Sequence, residues 1–238
     1  MNFASHRHSA LMVAIIAAFA VRAVIGESRD ATLAFGAAFM MLLLVAVYNV
    51  NRDDLLSERG ILTARVRRRR IIAWSLAAVA GVERICLTFI HNHSLELMGT
   101  LAWLLFVLFV TVTELQSVLR QKEVTGETIC MAVSVYLLAG FTWALVYIVI
   151  FERHPASFAG LGAVKPGDAS SLQHIFPLFG YYSLGTLSTI GGSDITPVGL
   201  QARYATVAEA IMGQFYMAIL VGRLVGLQMS HSMSSKAD

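Results

Sequence analysis

Six stretches of mostly apolar residues, each close to the ~20 residues a helix needs to cross the hydrocarbon core of a bilayer, decide what this chain can fold into. They occupy residues 10–26, 32–50, 71–90, 95–118, 128–151 and 204–227. Charged residues make up 14% of the chain, against roughly 25% in soluble domains. An all-α integral membrane protein with six transmembrane helices is therefore expected. The first run leaves two readings open. It follows a basic start and carries Arg22 near its far end, so it is either a crossing or a signal peptide.

Arginines set the expected orientation. The loop at 51–70 holds Arg52, Arg59, Arg65 and the run Arg67-Arg68-Arg69-Arg70, and short loops rich in Arg and Lys stay on the cytoplasmic side. Threading outward from that loop places both termini inside. Residues 27–31, 91–96 and 152–171 fall outside, and 120–127 inside. The location that follows is a plasma membrane or bacterial inner membrane. Arg67, Arg68, Arg69 and Arg70 have two readings, a topological anchor among headgroups or a site for anionic lipids.

Residues 181–194, between the fifth and sixth runs, are too rich in Gly, Ser and Thr for a lipid-facing helix. Backbone that is not helical persists at membrane depth only where protein buries it or a watery cavity receives it. A re-entrant loop meets that condition. Tyr181 and Tyr182 enter the stretch, Thr189-Ile190-Gly191-Gly192-Ser193-Asp194 end it, and Ile195-Thr196-Pro197 lead out. This pattern resembles the pore helix and selectivity filter of tetrameric potassium channels, where two aromatics precede a Thr-Val-Gly-Tyr-Gly-Asp signature. Thr189, Ile190, Gly191 and Asp194 match that signature. Gly192 stands where the family has tyrosine, and Ser193 where it has the second glycine. The resemblance extends through Thr196-Pro197 and residues 205–227, which look like the inner helix, with Gly213 near the place of its hinge glycine.

The resemblance implies a division into a four-helix membrane domain at 1–120 and a pore domain at 121–238, the latter with outer helix, re-entrant pore helix, filter loop and inner helix. It also implies a homotetramer, because one chain supplies one loop and a ring needs four. Rings of backbone carbonyls replace the hydration shell of a cation. The candidate filter residues are Ser188, Thr189, Ile190, Gly191, Gly192, Ser193 and Asp194. Thr189, Ile190 and Gly191 form the expected monovalent-cation site, with the Ile190 side chain facing the packing behind it. Tyr181, Tyr182, Gly185 and Glu209 are candidate supports, Glu209 lying at a height to bond to the filter or the pore helix. Gly185 is small where some relatives have an acid bonded to the aspartate. Gly213 is a candidate gating hinge, or a site of close packing. Asp194 is either a turn residue or a group that concentrates cations.

Two departures weaken the outer half of such a filter. Glycine takes φ > 0 freely and serine rarely does, so Ser193 is not expected to reproduce the outermost carbonyl geometry. Gly192 removes the ring that in the family packs on the pore-helix aromatics, which leaves Tyr181 and Tyr182 without that partner. A cation channel that discriminates weakly between potassium and sodium is expected. A potassium-selective channel and a non-conducting or regulatory subunit are the alternatives. No cofactor is expected beyond permeant potassium or sodium ions, and no nucleic-acid partner.

The remaining polar residues carry less. The fourth run has no arginine or lysine, so little charge could move in the field and no steep voltage sensing is expected. Arg22 is a plausible partner for Glu83 of the Glu83-Arg84 pair, and Glu114 and Arg223 are expected to snorkel at helix ends. His6, His8, His91 and His93 read as exposed polar residues, since pairs alone are a weak metal signal. Cys86 and Cys130 read as small buried hydrophobes. Neither the serine and histidine at common depth of an intramembrane hydrolase nor the paired broken helices of a transporter is present, so no enzymatic activity is expected.

Overall fold

The computed structural model describes residues 93–121, 124–162, 164, 171–191 and 194–234, together with the isolated helical positions 12, 13, 16, 71, 74, 75 and 78. Apart from those positions, the first three expected crossings lie outside the described residues. So do Arg67, Arg68, Arg69, Arg70, Arg22, Glu83, Arg84, His6, His8, His91, Cys86, Gly192 and Ser193.

Among the described residues, four α-helices, a 3-10 turn at Pro155–Ser157 and two short strands follow in order: α1 His93–Arg120, α2 Gly126–Arg153, β1 Phe158–Ala159, α3 Ser171–Leu187, β2 Thr196–Pro197 and α4 Leu200–Ser234. Among those residues, three stretches are long and apolar enough to cross a membrane: Leu97–Arg120, Gly126–Arg153 and Leu200–Arg223. The fourth, fifth and sixth apolar runs are thus helical. α3, at 17 residues, is only about 25 Å long at 1.5 Å per residue.

Caps explain why the helices outrun their apolar cores. α2 opens on a capping box in which the Thr125 hydroxyl accepts from the Thr128 amide at 3.3 Å and the Thr128 hydroxyl accepts from the Thr125 amide at 3.3 Å. That pairing satisfies orphan donors of the first turn. α4 starts directly after Pro197-Val198-Gly199, with the Arg203 amide bonded to the Gly199 carbonyl at 3.0 Å.

α1 and α2 are antiparallel neighbours. The Thr111 and Thr142 hydroxyls meet at 3.2 Å, each also bonded back to its own helix, at Val107 and Leu138. Away from this contact Val118 packs with Met131, Ala132 and Val135. Small hydroxyl residues of this kind join helices in lipid, where apolar burial between helices is a weak driving force. α2 and α4 are also antiparallel: Tyr147 meets Glu209, Trp143 meets Met212, and Tyr216 meets Ala132.

The main core gathers Phe106, Val107 and Val110 of α1, Phe141, Ala144 and Tyr147 of α2, and Ile175, Phe179 and Tyr182 of α3. Its densest part is aromatic. Tyr147 contacts Phe158, Phe179 and Tyr182, with the Tyr182 ring 5.1 Å away in a T-shaped arrangement, the geometry that ring quadrupoles favour.

The expectation of snorkelling fails at Glu114. Glu114 is buried, at 1% exposure, in the body of α1. The Arg223 guanidinium of α4 donates to the carbonyls of Val118, Leu119 and Gln121 at 2.6 to 2.8 Å. These carbonyls close α1, where the last turn leaves acceptors unsatisfied and the helix dipole favours a cation. Apolarity counting cannot see either outcome, because it assigns a charge near a helix end to solvent by default.

Candidate functional site

α3 threads into the bundle and stops partway along it. The Ser183 hydroxyl donates to the Gly140 carbonyl of α2 at 2.7 Å, and the last residue, Leu187, lies against Tyr136 of α2 and Gly213 of α4. α2 spans 126–153, so α3 ends near its middle. The chain then returns to the end where it entered: β2 pairs antiparallel with β1, matching Phe158 with Pro197 and Ala159 with Thr196, just beyond the end of α2. A clip completes the return. The amides of Val198 and Gly199 both reach the Ser157 carbonyl, at 2.8 and 3.1 Å. Gly160, at φ +90°, passes so close to the Asp194 carbonyl that a Cβ there would collide with it.

The end of a helix leaves four carbonyls without intrahelical partners, and at α3 all four are taken. The Leu184 carbonyl accepts from the Ser188 amide at 3.0 Å and the Ser188 hydroxyl at 2.6 Å. The Gly185 carbonyl accepts from the Gly191 amide at 3.1 Å, and the Thr186 carbonyl from the Thr189 amide at 3.0 Å. The Leu187 carbonyl accepts from the Tyr136 hydroxyl at 2.9 Å. Three of these carbonyls are bound by the loop itself. The fourth is bound from another helix.

Within the loop, Thr189 has φ +60° and Gly191 has φ +62°, while Ile190 between them does not have a positive φ. A positive φ is uncommon for a residue with a Cβ and marks a position that its surroundings impose. Ser188, Thr189 and Gly191 are exposed within the single chain. The Ile190 side chain is 81% exposed, which differs from the expected packing behind the loop. Among the described residues nothing of its own chain covers it.

The residues singled out as supports are placed as follows. Tyr182 is buried and does not want for partners: besides Tyr147 and Phe158, its hydroxyl meets that of Thr206 at 2.6 Å. Tyr181 is exposed, at 56%. Gly185 supplies the carbonyl that binds Gly191, and a Cβ on it would face that residue's oxygen at 3.7 Å. Glu209 is fully buried, its two carboxyl oxygens meeting the hydroxyls of Tyr147 on α2 and Ser183 on α3. It therefore joins three helices at one point. Gly213 is buried where α4 presses on the end of α3, and a Cβ there would overlap the Leu187 carbonyl. α4 continues as a helix on both sides of it. Asp194 is exposed at the foot of the β1–β2 clip.

Four contributors escape a reading of the sequence: Tyr136, Tyr147, Ser183 and Gly140. Tyr136 and Tyr147 are polar tips on otherwise apolar runs, and such residues need a partner when buried. That requirement was the available signal, but it does not name the partner.

No curated protein and no solved structure matches the chain. Residues 161–228 match a family model described as Ion channel. The matched segment contains α3, the loop after it, β2 and most of α4. Across those residues, less than a third of the chain, the sequence is similar to that ion-channel family.

Proposed function

We propose that four copies of this chain surround a common axis as a channel for monovalent cations, with residues 188–194 of each copy facing the pathway and α4 flanking it. The observation that carries this reading is the backbone at the end of α3. Thr189 and Gly191 are left-handed on either side of Ile190. An alternation of that kind turns successive carbonyls toward one side, whereas a strand would point them to opposite sides. Carbonyls so aligned, repeated around an axis, are what a dehydrating cation requires.

The surface of α4 supports association. Leu200, Tyr204, Val207, Ile211, Phe215 and Ile219 form an exposed apolar stripe along it, and only 11% of its most apolar window is covered by its own chain, against 56% for α2. In a tetramer, neighbouring copies cover part of that stripe and the Ile190 side chain. Tyr182 and Glu209 then act as supports behind the loop, with Gly185 fixing Gly191 and Tyr181 facing a neighbour. Gly213 serves as a close-packing site beneath α3 and as the position at which α4 can bend. Asp194 ends the loop at the external mouth, where four carboxylates concentrate cations. The arginine-rich loop and both termini face the cytoplasm, with Arg67, Arg68, Arg69 and Arg70 among anionic headgroups.

Discrimination between potassium and sodium is weak in this reading, since Gly192 and Ser193 replace the tyrosine and glycine of the outer half. Potassium selectivity is the second reading, favoured by the retained alternation at Thr189 and Gly191. Purified protein in liposomes decides between them. Comparable flux under potassium and sodium gradients supports the first reading, flux under potassium alone supports the second, and silence from assembled tetramers points to a non-conducting subunit.

A further inference from the structure

Three of the four terminal carbonyls of α3 are bound by the loop that follows, so those bonds can form wherever the loop goes. The fourth is different. The Leu187 carbonyl is bound by the hydroxyl of Tyr136, which is 51 residues away on α2, and α4 closes in on the same oxygen at Gly213. We infer that Tyr136 is the positioning residue of the ion-binding loop, fixing the end of α3 to the scaffold two residues before the left-handed Thr189. The inference rests on the channel reading only in its consequence for ions.

Two physical consequences follow. The loop has a fixed origin: Ser188, Thr189 and Gly191 bond back to α3, and α3 bonds to α2 through this phenol. The Leu187 carbonyl is also turned toward α2 and α4, which withdraws an oxygen that a free helix end would present to a cation near the loop. Loss of the hydroxyl therefore loosens the loop and returns that acceptor to the pathway.

A built-in control lies beside it. Tyr216 of α4 stacks on Tyr136 with centroids 5.6 Å apart, and its hydroxyl donates to the Ala132 carbonyl of α2 at 2.6 Å. It ties α4 to α2 as Tyr136 ties α3 to α2, but its hydrogen bond and ring contact among the described residues are to α2 and not to the loop. Tyr136→Phe and Tyr216→Phe each delete one oxygen.

Hydrogen exchange on the purified full-length protein, followed at the amides of Ser188, Thr189 and Gly191, tests the assignment without requiring conduction. Tyr136→Phe is expected to speed exchange there roughly tenfold, the equilibrium worth of one hydrogen bond. Tyr216→Phe is expected to leave those amides unchanged. Equal protection in the wild type and Tyr136→Phe overturns the inference, as does equal loosening by both substitutions. In liposomes, Tyr136→Phe is further expected to shift the bi-ionic reversal potential between potassium and sodium, with no shift from Tyr216→Phe. Faster exchange in Tyr136→Phe, found beside a wild type that carries no current, upholds the tie at Leu187 and overturns the channel reading instead.

Discussion

Glu209 is a buried acid on which three helices converge. A carboxyl group buried among helices needs a partner for each oxygen, and here the hydroxyls of Tyr147 and Ser183 fill that role. Glu209→Ala removes the acceptor of the Tyr147 hydroxyl and one of the two partners of Ser183, which keeps the Gly140 carbonyl, and is expected to cost about 1–3 kcal/mol, the range for buried groups left unsatisfied. Glu209→Gln keeps an oxygen and the shape, and should cost clearly less. Thermal unfolding in detergent measures both, and equal midpoints for the two variants would show that the hydroxyls find other partners. At Gly213, alanine would place a methyl group against the Leu187 carbonyl. Overpacking of this kind costs about 1–3 kcal/mol. Gly222→Ala, with nothing within 4 Å of the added carbon, is the control. If Gly213→Ala leaves the melting midpoint unchanged while altering channel opening, the position is a hinge and the contact with Leu187 is incidental.

Between helices, what was legible depended on how far apart the partners lie in sequence. The run of Thr189, Ile190 and Gly191 is contiguous, and its unusual composition alone marked it as something other than a lipid-facing helix. The Tyr147–Glu209 contact spans 62 residues and the Tyr136–Leu187 contact 51; nothing local distinguishes either tyrosine from its apolar neighbours. Glu209 was legible in part, because an acid within an apolar run must face protein or water, although its two partners were not. For Tyr182 the loss of the family's tyrosine partner at Gly192 was legible, whereas Tyr147, Phe158 and Thr206, which occupy its surroundings, were not. Arg223 shows the same limit at a helix end. Its guanidinium holds the end of α1 from a distance of more than 100 residues, and Arg223→Gln should weaken that junction by about 1–3 kcal/mol, as expected for hydrogen bonds made by a charged donor. Limited proteolysis between α1 and α2 reads this directly: faster cleavage in the variant is expected, and an unchanged rate contradicts a capping role.

Over the whole molecule, the order of elements explains the arrangement. Two long helices, α2 and α4, flank a short one that reaches only to the middle of the bundle, and the chain after it returns to a two-stranded clip at the end where it began. Such a path leaves non-helical backbone deep in the bundle, which is sustainable where its polar groups are satisfied by protein or face water. The loop's own bonds to α3 and the hydroxyl of Tyr136 provide the first. The exposed faces of Thr189 and Gly191 await the second, together with the copies that would cover Ile190 and the stripe on α4.

In the proposed function this loop selects ions, and its outer half, altered at Gly192 and Ser193, sets how permissive it is. The most direct measurement is the bi-ionic reversal potential of purified protein in planar bilayers, potassium against sodium, for the wild type and for Gly192→Tyr combined with Ser193→Gly. A potential near zero in the wild type that moves toward the potassium equilibrium value in the double variant is the predicted result. A potential that the two substitutions leave unchanged, in channels that conduct normally, would contradict the account, because residues 192 and 193 would then have no part in selection.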